Sequence, residues 1–243
     1  MKNKVAEITF YFWVLKILAT TLGETTGDML SMTLDMGYII GFLITGGILS
    51  ILLFFQIRAE TFHSALFWFS IIGTTTVGTE ISDMMDRTLG LGYMYGSLVL
   101  VAGLLATLGF WYAKEKSLKV YPITHRRAEI MFWVAVLFSN SLGTAFGDYL
   151  TDNLELSYIQ GAFVTSGVIG VVLLLHYTTR INQVFLFWIA FIFTRPFGAT
   201  FGDLLTKPLS HGGLDLGTMN ASLVTVLIFC AILFVSRKTH HVE

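Results

Sequence analysis

Four aspartates recur in this chain at a fixed distance from a tryptophan, inside segments that are otherwise strongly apolar. Each aspartate lies fifteen residues after its tryptophan, a glycine lies ten residues after the tryptophan, and a small residue directly precedes the aspartate. An ionisable side chain within a membrane segment is costly, so its repeated presence indicates a functional site. The four pairs are Trp13 and Asp28, Trp68 and Asp83, Trp133 and Asp148, and Trp188 and Asp203.

Two glutamates add to this set of acids in the first two copies. Glu24 lies four residues before Asp28, and Glu80 lies three residues before Asp83, on nearly the same helical face. Threonine, serine and asparagine crowd the same stretches, which hold neither histidine nor cysteine. Hard cations such as Mn²⁺, Mg²⁺ and Ca²⁺ prefer oxygen ligands of this kind. The sequence therefore predicts a divalent-cation site formed by six carboxylates, those of Asp28, Asp83, Asp148, Asp203, Glu24 and Glu80.

The same acids have a structural interpretation. They could make internal hydrogen bonds, or cap the outer helix ends close to water, because each motif aspartate stands a few residues before a turn. The glycines form small-xxx-small pairs, which favour close helix packing in lipid. Both interpretations stay open on the sequence alone.

Two basic residues lie inside the predicted membrane segments, Lys16 and Arg195. Arg195 aligns with Thr20, Thr75 and Asn140 of the other copies, deep in its segment, and we expect it to be a counter-charge to the carboxylates. Lys16 stands three residues after Trp13. It is either a second counter-charge or a side chain that reaches back to the membrane interface.

Composition places the chain among integral membrane proteins. Hydrophobic residues make up 54% of it and charged residues 13%, against about 25% charged residues in an ordinary soluble domain. The net charge of −1 argues against nucleic acid as a partner. A spanning helix needs about 20 mostly apolar residues. Eight segments meet this length, near residues 8–30, 36–56, 62–85, 91–113, 127–150, 156–177, 182–205 and 216–236.

Basic residues are distributed unevenly between the two sides of these segments. Only Arg87 and Lys207 lie in the loops that follow odd-numbered segments. By the positive-inside rule, both termini face the cytoplasm, so we expect a protein of the bacterial cytoplasmic membrane. The eleven basic residues on the other side are Lys2, Lys4, Arg58, Lys114, Lys116, Lys119, Arg126, Arg127, Arg180, Arg237 and Lys238.

The motif spacing defines four repeats of two helices each. Successive motif tryptophans are 55, 65 and 55 residues apart, and the extra residues form a basic linker at 114–127. Because each repeat holds two spans, all four enter from the same side, which predicts parallel repeats around a pseudo-symmetry axis along the membrane normal. We expect an all-α membrane domain over residues 1–243, with repeats near 8–57, 62–113, 127–177 and 182–236.

The chain resembles an uncharacterised bacterial family of membrane proteins made of four tandem two-helix repeats, each with a characteristic tryptophan. The resemblance rests on the tryptophan, glycine and aspartate positions and covers nearly the whole chain. It implies the repeat architecture and leaves the activity open.

The acids favour a small cation transporter that exchanges a divalent, Mn²⁺-like cation with protons, with the lipid bilayer and the cation as partners. The alternative is a nontransporting membrane module that binds a lipid, a ligand or a partner protein. We expect no enzyme, because the chain shows no nucleophile–base pair, haem-ligand pair or phosphate loop. The oligomeric state stays open.

Overall fold

The described part of the chain is all-helical, as its composition and repeats predict. The computed structural model describes residues 3–239, and side chains within 3–236. Lys2, used above to predict the orientation, lies outside the described residues, and Arg237 and Lys238 lie outside the described side chains. The eight α-helices of this part of the chain are α1 (Phe10–Asp28), α2 (Gly37–Arg58), α3 (Ser64–Asp83), α4 (Gly92–Glu115), α5 (Arg126–Asp148), α6 (Tyr158–Thr178), α7 (Gln183–Thr206) and α8 (Thr218–Thr239).

Local signals account for several of the helix starts. The Thr9 hydroxyl accepts a hydrogen bond from the Phe12 amide at the start of α1, and Asn182 caps α7 through the Val184 amide. Ser157 forms a capping box with Gln160 at the start of α6. Such caps satisfy amides that have no partner inside the helix.

The helices of the first three repeats do not stop at the motif aspartate. A single π-helical turn follows, at Met29–Thr33, Met84–Thr88 and Tyr149–Asn153. The fourth repeat instead continues as α-helix to Thr206 and then forms a short 3₁₀ turn at Leu209–His211. The aspartates therefore lie within helical structure, and the interpretation of them as water-exposed end caps is wrong, because all four are buried.

The first helices of the repeats form a closed inner ring. In this ring α1 packs against α3 and α7, and α5 packs against the same two helices. Each outer helix packs against the inner helix of the following repeat: α2 on α3, α4 on α5, α6 on α7, and α8 on α1. The outer helices thus connect each repeat to the next around the ring.

Glycines allow the inner helices to approach one another closely. A methyl group added to Gly23 would overlap Thr75 of the next inner helix, and one added to Gly78 would meet the backbone of Asn140. Gly143 and Gly198 lie against Arg195 and Thr20 in the same way. The motif glycine of each repeat therefore packs against one equivalent position of its neighbour, and a larger side chain there must displace that neighbour.

The outer helices bury narrow stripes and expose apolar surface elsewhere. In α2 the buried stripe runs through Gly41, Thr45, Leu49 and Gln56. Exposed apolar side chains such as Leu43 cover the remaining faces. A helix that is apolar on its exposed face fits lipid as its surroundings. Six of the eight helices described are long and apolar enough to cross a membrane; α1 and α3, which carry the two glutamates, are the exceptions.

Candidate functional site

Five layers of buried side chains fill the inside of the inner ring. They follow each inner helix in steps of four residues, so each layer receives one side chain from every repeat, and we call them the axial layers. All twenty side chains are buried. The layers are the aspartate layer (Asp28, Asp83, Asp148, Asp203), the glutamate layer (Glu24, Thr79, Thr144, Ala199), the arginine layer (Thr20, Thr75, Asn140, Arg195), the lysine layer (Lys16, Ile71, Val136, Phe191) and the phenylalanine layer (Phe12, Phe67, Phe132, Phe187). We call the two extremes the aspartate end and the tryptophan end.

The four aspartates form two pairs, and each pair shares one basic residue. Arg87 places Nε 3.4 Å from Asp83 Oδ1 and an Nη atom 3.5 Å from Asp148 Oδ2. Lys207 Nζ donates a hydrogen bond of 2.7 Å to Asp28 Oδ2 and lies 3.2 Å from Asp203 Oδ1. Each base therefore bridges its own repeat and the next one around the ring.

Glu24 completes a compact group of three acids at the Lys207 pair. One carboxylate oxygen from each of Glu24, Asp28 and Asp203 lies within 4.8 Å of the other two, close enough to hold one metal ion. We call these residues the carboxylate triad. Burial lowers the pKa of Lys207, but the carboxylates of Asp203 and Asp28 outweigh this effect and raise its pKa above the ordinary lysine value. The triad thus already accommodates a positive charge.

Arg195 connects the triad to the layers below it. Its guanidinium donates to Glu24 Oε2 at 2.8 Å, to Thr79 Oγ1 at 2.5 Å and to Thr144 Oγ1 at 2.6 Å. The last two hydroxyls belong to the second and third repeats, so one side chain of the fourth repeat contacts all the others. Arg195 is fully buried, and the Glu24 carboxylate supplies its counter-charge.

Glu80 does not join the predicted six-carboxylate cluster. Its carboxyl group lies against Gly41 of α2, and neither oxygen has a hydrogen-bond partner among the described residues. The reason is angular: at about 100° per residue, an acid three residues before the aspartate points about 100° away from one placed four residues before it. The expectation that Glu24 and Glu80 share a face is wrong for this reason.

Lys16 is neither at the interface nor paired with an acid among the described side chains. It is fully buried, its Nζ donates to Asn140 Oδ1 at 3.0 Å, and it lies 4.2 Å from the centre of the Phe191 ring. Asn140 in turn donates to Thr74 Oγ1 at 3.1 Å. The Asn140 amide oxygen and the Phe191 ring therefore hold this amine inside the ring, and the expectation that Lys16 is a counter-charge to the carboxylates is wrong.

The charge distribution along the sequence does not single out the two bases that bridge the aspartates, because Arg87 and Lys207 stand among the loop charges on the side with few basic residues. Their spacing is the signal that identifies them, since each follows its motif aspartate by four residues and thus lies about one helical turn further on. The first and third repeats have Met32 and Asp152 at this position, so the bases alternate around the ring.

The protein family that the chain matches agrees with this architecture. No curated protein and no solved structure matches the chain. A family described as "Repeat of Unknown Function (DUF347)" matches four times in tandem, over residues 11–62, 66–117, 131–182 and 186–241. These four matches cover most of the chain and agree with the four repeats predicted from the motif spacing, so the protein belongs to the DUF347 repeat family.

Proposed function

We propose that the protein is a small-cation transporter of the bacterial cytoplasmic membrane that exchanges a divalent, Mn²⁺-like cation with protons. One observation carries this proposal: the buried carboxylates of Asp28 and Asp203 share one ammonium group, and a third buried carboxylate, that of Glu24, has an oxygen within 4.8 Å of theirs. Oxygen ligands at this spacing suit a hard divalent cation. Lys207 then occupies the site when the substrate is absent, and a divalent cation displaces it.

Lys207 is suited to leave the site. It follows the last residue of α7, and a quarter of its side chain is exposed, compared with 4% for Asp28. A lysine is a compact charge on a flexible stem, which can move without unwinding the helix. A divalent cation that displaces Lys207 brings two positive charges in place of one. Protons compete with this metal for the same carboxylate oxygens.

Glu24 provides the link from cation binding to the rest of the ring. It belongs to the carboxylate triad and is also the acid partner of Arg195. A cation that takes Glu24 as a ligand weakens the Glu24–Arg195 pair. Because Arg195 also donates to Thr79 and Thr144, its release changes contacts on the second and third repeats.

The proposal includes the placement of the chain in the membrane. All eight helices cross the bilayer, the four repeats surround a pseudo-symmetry axis along the membrane normal, and the tryptophan end faces the cytoplasm. The apolar faces of the outer helices support this placement, as does the enclosure of the charged inner helices by other helices. The basic linker at 114–127 supports the orientation.

One observation favours the nontransporting membrane module as a second candidate. Arg195 and Lys16 are both buried in the axial layers between the triad and the tryptophan end. The fixed positive charge of Arg195 and the Lys16 side chain in the next layer oppose the passage of a cation along the axis. If neither moves, the triad binds a ligand at the aspartate end without transporting it.

Binding and flux measurements on the same variants test both candidates. We expect Asp28→Asn and Asp203→Asn to weaken Mn²⁺ binding by about tenfold or more, because each removes one anionic ligand while keeping its volume. Asp83→Asn and Asp148→Asn are matched controls, since their partner is Arg87, and they should change binding less than about threefold. Calorimetry with Mn²⁺, Mg²⁺ and Ca²⁺ measures binding, and flux into proteoliposomes measures transport. Binding without flux favours the nontransporting module, and the absence of binding to intact protein refutes the cation site.

A further inference from the structure

The segment before α1 lies across the tryptophan end of the inner ring. Val5 and Ala6 of this segment are buried. Together with Ile8 and Val120 they line a small cavity, whose opposite wall is the phenylalanine layer. The cavity volume is about 10 Å³, which holds one water molecule at most. The segment therefore closes the phenylalanine layer with an apolar contact, while a larger cavity of about 480 Å³, whose lining includes Val5, Ala6, Phe12 and Trp68, opens beside it.

A buried polar network holds the segment in place. Lys4 Nζ donates to Glu129 Oε2 of α5 and, at 2.8 Å, to the carbonyl of Ile57 at the end of α2. Gln56 Nε2 donates to the Lys4 carbonyl and to Glu129 Oε1, both at 3.1 Å. We call Lys4, Gln56 and Glu129 the latch. All three are buried, and Gln56 and Glu129 are completely so.

The linker between the repeat halves contributes a second attachment. The Lys4 amide donates to the Ile123 carbonyl, and the Ile123 amide donates to Asn3 Oδ1, both at 3.1 Å. Leu118 of the same linker accepts a hydrogen bond from the Trp188 indole at 3.1 Å. The segment thus joins the first repeat, the linker and α5 at one point on the axis.

The chemistry of the latch suits a contact that opens. A buried ion pair often stabilises a protein no more than well-packed apolar side chains of equal volume, yet it is specific in its partners. Apolar residues alone could cover the phenylalanine layer permanently. The buried charge of Lys4, next to the buried apolar pair Val5 and Ala6, gives a contact with one defined closed position that exchange with water can release.

We propose that residues 3–9 form a plug that closes the tryptophan end of the axial layers, and that opening the Lys4–Gln56–Glu129 latch releases it. The inference rests on the proposed function only in taking the axis as the substrate path. The experiment below measures whether a reagent reaches the axis. A negative result for the plug is therefore distinguishable from a failure of cation binding or transport.

A buried thiol beneath the plug reports whether the segment is closed. In a Cys230→Ser background, Phe132→Cys places a thiol in the phenylalanine layer. A small cationic methanethiosulfonate reagent is then added in turn to each face of sealed vesicles. With the latch intact we expect slow modification from both faces. Glu129→Gln leaves the buried Lys4 ammonium without its counter-charge, and should speed modification about tenfold or more from the tryptophan end alone.

Two further variants make the result decisive. Lys119→Met removes an exposed charge from the same end without touching the latch, and should leave the rate unchanged. Gln56→Leu keeps the ion pair but removes the amide that bridges it, so it should speed modification less than Glu129→Gln. Should Glu129→Gln fail to fold, Gln56→Leu alone decides. Rates within twofold of the parent in folded variants, or rapid modification of the parent from the tryptophan end, would overturn the plug.

Discussion

At the scale of single residues, the two bases that bridge the aspartates differ in whether a metal ion can replace them. Arg87 contacts Asp83 and Asp148 through two different nitrogens of a rigid planar group. Lys207 contacts Asp28 and Asp203 through one ammonium nitrogen. A spherical cation can replace a point charge of this kind, whereas it cannot reproduce the two separated contacts of a guanidinium. The Lys207 pair is therefore the better cation site, and the Arg87 pair a structural contact between repeats.

Removing the Lys207 ammonium should strengthen the binding of Mn²⁺ to the carboxylate triad. We expect Lys207→Gln to bind Mn²⁺ about threefold to tenfold more tightly than the parent, because the metal no longer competes with an ammonium. Without metal the variant should melt at a lower temperature, since the buried acids Asp28 and Asp203 lose their shared partner, and added Mn²⁺ should raise its Tm more than that of the parent. Calorimetry and thermal unfolding measure the two effects.

Arg87→Gln is the matched control for this prediction. It removes a base from the equivalent position of the second repeat but leaves the carboxylate triad intact, so its Mn²⁺ affinity should stay close to that of the parent. Weaker binding by Lys207→Gln, or an equal gain in both variants, would contradict the assignment of Lys207 as an internal competitor.

The residues of the site were predictable to different degrees. The spacing from tryptophan to aspartate identified one complete axial layer, because a constant interval on equivalent helices gives a constant depth. The division of that layer into two pairs was not predicted, although Arg87 and Lys207 stand one helical turn after their aspartates. The sequence also predicts more carboxylates around Asp28 and Asp83, because Glu24 and Glu80 lie in the first two repeats. In the structure Glu80 faces α2, and the remaining glutamate, Glu24, lies close to Asp28 and Asp203.

At the scale of the helices, the motif glycines set how closely the inner ring can close. We expect Gly143→Ala to destabilise the protein by about 1–3 kcal/mol, because the added methyl group overlaps the Arg195 side chain and the Pro196 ring. Gly47→Ala is the matched control: it lies on the exposed face of α2 with no atom near the added methyl group. It should be neutral or stabilising, since alanine favours helix by about 1 kcal/mol over glycine.

Thermal unfolding of the two glycine variants checks this prediction. A lower Tm for Gly143→Ala with an unchanged or higher Tm for Gly47→Ala is the expected result. Equal Tm values would mean that the inner helices separate readily at this point and that the glycine is not needed for close packing.

The helices themselves were largely predictable, and their partners were not. Each predicted segment overlaps one observed helix, because long apolar runs between turn residues leave little choice of structure. The buried stripe of α2, which begins at Gly41, fits an inner helix of its own repeat or of the next one equally well. Its packing on α3 depends on the geometry of the short connections, which residue periodicity does not encode. The π-helical turns after the aspartates likewise have no signal in the sequence pattern.

At the scale of the whole molecule, the distribution of charge predicts which end of the ring faces the cytoplasm. In a Cys230→Ser background, Lys119→Cys places a thiol in the exposed linker at the tryptophan end, and Leu89→Cys places one in an exposed loop at the aspartate end. We expect an impermeant thiol reagent added to intact cells to modify the Leu89→Cys protein and spare the Lys119→Cys protein. The reverse pattern would invert the orientation, and with it the side from which a cation reaches the carboxylate triad.

The acids of the first repeat find their basic partners in the fourth repeat, which is synthesised last. Glu24 obtains its partner Arg195 171 residues later in the chain, and Asp28 obtains Lys207 179 residues later. At roughly 5–20 residues per second, a nascent chain carries these acids without their partners for roughly 10–35 s. The covering helix α8 is also made last. A ribosome that stalls before the fourth repeat therefore leaves a membrane intermediate with unpaired acids and an uncovered α1, which cellular quality control can distinguish from the finished protein.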